Sequence, residues 1–104
     1  MLEHRYTVHV DSAANDRMCD HVLFLAQVSV SAAERLHDVL GEAIHALENC
    51  PKMCPPYLSK LPTSAELHYK LFAGRYRMVF EIIGSAVHIY DIQDCRQDTD
   101  KNLV

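Results

Sequence analysis

Apolar and polar positions change period along the chain, and each period implies an element. Residues 5–10, Arg-Tyr-Thr-Val-His-Val, alternate and place Tyr6, Val8 and Val10 on one face, the pattern of a half-buried strand. Asp11 and Ser12 are N-cap candidates for a helix over 13–28, whose apolar stripe is Met18, Val22, Leu25 and Val28. Ser31-Ala-Ala-Glu34 has the form of a capping box and predicts the start of a second helix. Leu36, Val39, Leu40, Ala43, Ile44 and Leu47 share one side of that helix, and Arg35, Asp38, Glu42 and Glu48 share the other. The short link between the helices predicts an antiparallel hairpin. Pro51, Pro55, Pro56 and Pro62 then end the second helix and fill a loop of about fifteen residues, long enough to suggest a binding role as readily as a stiff connector.

Alternation returns in the last third. Residues 66–72, 75–83 and 86–93 read as three strands joined by turns at Ala73-Gly74 and Gly84-Ser85. The order is β-α-α-β-β-β, an α+β fold with an antiparallel sheet packed on a helical hairpin. A two-residue turn at Ala73-Gly74 would pair residue 70 with 77. Leu67, Tyr69 and Leu71 would then share the core face with Tyr76, Met78 and Phe80, and Leu40, Ile44 and Ile89 would complete the core. His68, Lys70, Arg75 and Arg77 would share the open face, with Lys70 directly opposite Arg77 and Glu81 beside His88. Like charges so opposed cost stability unless they serve an anion, for which a phosphate backbone is a natural candidate. Pairing with Glu66, Glu81 and Asp94 on a solvated face is the alternative.

The 104 residues fit one domain over 1–104, and 49% apolar content supplies one core. No run approaches the roughly 18 to 20 apolar residues of a membrane helix. The charged, alternating start is unlike a secretory signal, so a soluble cytoplasmic protein without membrane partners is expected. Reduced thiols are then expected for Cys19, Cys50, Cys54 and Cys95. Cys50 and Cys54 have no second closely spaced Cys/His pair to complete a zinc site, so neither metal nor cofactor is expected. A net charge of −4 excludes a protein that coats nucleic acid over its whole surface, while leaving room for a local basic patch.

The segment Gly74-Arg75-Tyr76-Arg77-Met78-Val79-Phe80-Glu81-Ile82 and the run from Val87 through Asp91, Cys95 and Arg96 to Asp98 resemble the RelE/ParE toxin superfamily of type II toxin–antitoxin and plasmid-stabilisation modules. Its members carry a G-x-Y-R strand followed by a hydrophobic strand that ends in Arg and Asp. The resemblance covers nearly the whole chain and implies a cognate antitoxin as partner.

RelE-like members cut messenger RNA on the ribosome. That resemblance implies an endoribonuclease whose catalytic residues are His68, Lys70, Arg77 and Arg96, with Arg75, Lys70 and Arg77 binding RNA. Lys70, Arg77 and Arg96 would stabilise the charge of the phosphorane and His68 would transfer protons. The ribonuclease is the reading taken from the sequence. Two features depart from it: the C-terminal tyrosine of many such nucleases is absent from Asp100-Lys101-Asn102-Leu103-Val104, and the chain is acidic. The alternatives are a ParE-like inhibitor of DNA gyrase without nuclease activity, and a degenerate homologue that only binds its antitoxin.

Overall fold

The computed structural model describes residues 5–97 and 99–104; the charged start at 1–4 and Asp98 of the motif quoted above lie outside the described residues. Strand β1 (Thr7–Val10) leads into helices α1 (Ser12–Ala26) and α2 (Val30–Leu47). A 3-10 turn at Pro51–Met53 precedes a short strand β2 (Pro56–Tyr57), then β3 (Leu67–Phe72), β4 (Tyr76–Ile83) and β5 (Ala86–Asp94), and a 3-10 turn at Thr99–Lys101 follows. The sheet order is β1-β5-β4-β3-β2. The α+β architecture is the one the alternation and the superfamily resemblance imply, with the helical hairpin against one sheet face.

Four details differ from expectation. The sheet is mixed, because β1 runs parallel to β5, Val8 opposite Val87 and Val10 opposite Ile89. Both helices intervene between β1 and its partner, and such a crossover allows parallel pairing. Helix α2 begins two residues earlier than the Ser31 box implies: Ser29 is its N-cap, and its hydroxyl accepts from the Ala32 N–H at 3.2 Å. The proline loop contributes β2, which pairs with β3 through Pro56–His68 and Tyr57–Leu67.

The fourth detail is the register of β3 on β4. Ala73 and Gly74 both adopt positive φ, 53° and 76°, and the turn takes in Arg75. Phe72 therefore pairs with Tyr76, Lys70 with Met78 and Leu71 with Arg77. A one-residue slip inverts a strand relative to its partner. His68, Lys70 and Phe72 consequently share the helix-side face with Phe80, Met78 and Tyr76. Leu67, Tyr69 and Leu71 share the open face with Glu81, Val79 and Arg77. The second hairpin keeps its two-residue turn, Ile83 opposite Ala86 and Glu81 opposite His88. A bulge between Val79 and Phe80 in the register then brings Asp91, rather than Tyr90, opposite Val79.

Tyr6, Met18, Leu36, Leu47, Phe72, Tyr76, Met78, Phe80, Val87, Ile89 and Ile92 form the core, with Val8, Leu40 and Ile44 packed against it. The expected core of Leu40, Ile44, Leu67, Tyr69, Met78, Phe80 and Ile89 loses two members. Leu67 is buried on the other face, and Tyr69 is half-buried there. Phe80, with no exposed surface, should cost about 3–5 kcal/mol when truncated to Ala. The half-buried Leu40 should cost no more than about 2 kcal/mol, because less of its surface leaves water. Urea unfolding of the two variants checks this, and a larger loss at Leu40 than at Phe80 would contradict the packing.

Candidate functional site

The open face centres on a cross-strand pair, Arg77 of β4 opposite Gln93 of β5. The Arg77 Nε–H donates to Gln93 Oε1. Its guanidinium lies 5.1 Å from the ring centroid of Tyr57 and 5.9 Å from that of Tyr69, distances at which the rings attract a cation. Short strand β2 exists where Tyr57 closes on this arginine, and the Tyr57 and Tyr69 rings meet edge to face.

The other end of the Gln93 amide extends the network. Gln93 Nε2 donates to Asp91 Oδ2 at 2.9 Å and to the Tyr57 hydroxyl at 3.0 Å. Asp91 is 0% exposed, and its other oxygen accepts from Arg17 Nε of α1 at 3.4 Å. Its carboxylate also accepts from the Leu103 N–H at 2.8 Å. A buried carboxylate is costly unless its lone pairs are met, and three donors meet them here.

The sequence-nominated residues fall in separate environments. Lys70 and Arg77 lie on opposite faces of the sheet, so the expected like-charge pair does not form. Lys70 lines a cavity of about 410 Å³ on the helix side with Leu47, Cys50 and Cys54. Burial pushes the Cys54 thiol up in pKa, against the opposing pull of Lys70. His68 faces the helix side as well. Its Nδ1–H donates to the Cys54 carbonyl at 3.1 Å, and its ring stacks on Phe80 with centroids 5.8 Å apart. The carbonyl can only accept, so it fixes the imidazole proton on Nδ1.

Arg75 sits in the turn before β4, hydrogen-bonded to the buried Asp94 and over the Tyr76 ring at 5.0 Å. The Asp94 hydrogen bond holds the Arg75 pKa above its ordinary value. Arg96 is exposed just past β5, and its main-chain N–H donates to Asp94 Oδ1 at 3.0 Å. Arg75 and Arg96 thus meet at Asp94, while Arg77 belongs to the Tyr57–Gln93–Asp91 network. Tyr57, Asp91 and Gln93 were not nominated from the sequence. The signal for two of them was present: Asp91 and Gln93 are polar at alternate positions of β5, on the side that Arg77 faces.

A family model described as ParE toxin of type II toxin-antitoxin system, parDE, matches residues 8–99. The chain belongs to that toxin family. No curated protein matches it. It is therefore the toxin of a type II toxin–antitoxin module, and its family implies a cognate antitoxin as partner. The matched span contains β4 and β5 and so includes Arg77, Asp91 and Gln93 of the toxin's open face. Among the described residues, no three His, Cys, Asp or Glu side chains cluster to hold a metal ion, and no helix is long and apolar enough to cross a membrane.

Next to this network, the Tyr90 hydroxyl donates to Glu81 Oε1 at 2.7 Å, and that bond is the main reason its pKa is pushed up to about 12. The neutral phenol is the form stabilised by folding. That contribution is fully present below the ordinary tyrosine value of 10.0 and is lost as pH rises toward 12. In an ultraviolet titration two of the five tyrosines should ionise above the ordinary value, Tyr76 chiefly through burial and Tyr90 chiefly through its bond to Glu81, and Glu81→Ala should return only Tyr90 toward 10. A titration unchanged by Glu81→Ala would refute the assignment.

Proposed function

We propose that this toxin acts as ParE-like members of its superfamily do, inhibiting DNA gyrase in the cytoplasm by binding it, without cutting RNA. The observation that carries the reading is the separation of Lys70 from Arg77 by the thickness of the sheet. Phosphoryl transfer without a metal needs its cations and its acid or base gathered around one phosphate. Lys70 and His68 instead belong to the helix side. His68 is further tied by one ring nitrogen to a main-chain carbonyl and by its ring face to Phe80. Arg77, stacked with Tyr57 and Tyr69 on the open face, has the composition of a protein-recognition anchor, in which Arg and Tyr are enriched.

Purified toxin added to gyrase should block supercoiling and trap cleaved DNA, and it should leave messenger RNA intact in a reconstituted translation reaction. Lys70→Ala should keep growth inhibition, and Arg77→Ala should weaken it. Ribosome-dependent cleavage of messenger RNA that is lost in Lys70→Ala would instead establish the ribonuclease. A chain that binds its antitoxin but leaves growth, supercoiling and messenger RNA untouched would be the degenerate homologue.

A further inference from the structure

Three sulfur side chains gather between the end of α2 and β3. Cys50, Met53 and Cys54 all line the cavity of about 410 Å³ that Lys70 also lines. They come from one 3-10 turn and its two flanking residues. The Met53 N–H donates to the Cys50 carbonyl at 3.3 Å, and the Cys54 N–H donates to the Pro51 carbonyl at 3.1 Å. Side chains three residues apart eclipse in such a turn, which puts the Met53 thioether on the same side as the Cys50 thiol.

The backbone beneath these side chains is fixed. Pro51 is buried and its ring sets φ, while the Cys54 carbonyl is held by His68 at 3.1 Å. The sulfurs themselves remain accessible. Both thiols are free, Cys50 exposed and Cys54 half-buried. Met53 is 83% exposed, and its unbranched chain has the freedom to swing over the cavity.

Thiolate and thioether donors select soft cations, copper(I) among them. Zinc and iron–sulfur clusters take four donors, and no three His, Cys, Asp or Glu side chains cluster among the described residues. Copper(I) is satisfied by two or three sulfurs. Charge points the same way. Cys54 feels the charge of both Cys50 and Lys70, so the three groups share one electrostatic neighbourhood. Two thiolates around a monovalent cation keep one negative charge, which the Lys70 ammonium balances. Around a dication the pair is already neutral, and the ammonium opposes binding.

We propose that Cys50, Met53 and Cys54 form a binding site for the soft monovalent cation copper(I), with Lys70 as the balancing charge. The cation replaces the two thiol protons, which pass to solvent, and no electron is transferred. Copper uptake here does not depend on how the toxin acts on its target.

The test equilibrates the reduced, full-length toxin, without oxygen, against copper(I) held by the colorimetric chelator bicinchoninate. The toxin should withdraw a single copper per chain. Cys50→Ser and Cys54→Ser should each abolish that uptake, Met53→Leu should weaken it, and Cys19→Ser and Cys95→Ser should leave it unchanged. Because serine at the half-buried position 54 can unsettle the fold, the unaltered chain supplies a second readout. A single copper per chain should shield Cys50 and Cys54 from iodoacetamide while Cys19 and Cys95 are alkylated, as read by peptide mass spectrometry. A toxin that takes no copper from the chelator, uptake that survives the loss of either thiol, or equal shielding of all four cysteines (adventitious thiol binding only) overturns the proposal.

Discussion

The turn at Ala73-Gly74-Arg75 is the constraint on which both faces of the sheet depend. Two consecutive residues with positive φ close it, and one of them is an alanine. A left-handed conformation costs a residue with a Cβ about 1–2 kcal/mol. Packing on the strands it joins offsets that cost. With the turn spanning three residues, Phe72 meets Tyr76 on the helix side, their rings stacked 5.7 Å apart, and the His68 ring lies over Phe80. One residue fewer would turn the Leu67, Tyr69 and Leu71 side toward the helices and remove Tyr69 from Arg77.

The same register leaves the open face with a polar centre that is nonetheless protected from water. Val79, Asp91 and Gln93 have no exposed surface, although none belongs to the helix-side core. Helix α1 reaches this region through Arg17, and the segment after the last 3-10 turn reaches it through Leu103. Isolated, the Asp91 carboxylate would destabilise the fold. Met by a guanidinium, an amide and a main-chain N–H, it becomes the junction through which helix α1, the sheet and the segment around Leu103 are coupled. Removing one donor therefore affects more than the bond it made.

Much of this was legible from pattern alone, because both helices carry one-sided apolar stripes and β1, β4 and β5 each have one apolar face. The helical hairpin, the three-strand meander and the core positions Tyr6, Met78, Phe80 and Ile89 follow from that periodicity. Strand β3 was legible as a strand but its facing was not, since Leu67, Tyr69 and Leu71 look at least as core-like as His68, Lys70 and Phe72. Only the length of the turn decides between the two sets, and Ala-Gly does not declare it. The parallel placement of β1 depends on a long-range pairing that no local pattern encodes. Arg77 was legible as an open-face residue from its strand. Tyr57 was hidden in a proline-rich loop whose short strand forms only when β3 is present to pair with it.

The disposition of charge separates two ways in which an arginine can contribute. In a protein of net charge −4, Arg17 is bonded to Asp91, Arg75 to Asp94, and Arg77 to Gln93 between two tyrosines. Arg17 and Arg75 are neutralised by their carboxylates while Arg77, bonded to a neutral amide, keeps its charge, so the three do not act together to gather a polyanion from solution as an unpaired basic cluster does. What they supply is directional: planar donors that lock a glutamine, a carboxylate and aromatic faces into fixed positions. A face organised by such short-range bonds suits a partner matched to it in shape and in hydrogen bonds more than one held by charge alone. Association through it should depend far less on salt than the binding of a nucleic acid backbone, where each neutralised phosphate releases counterions.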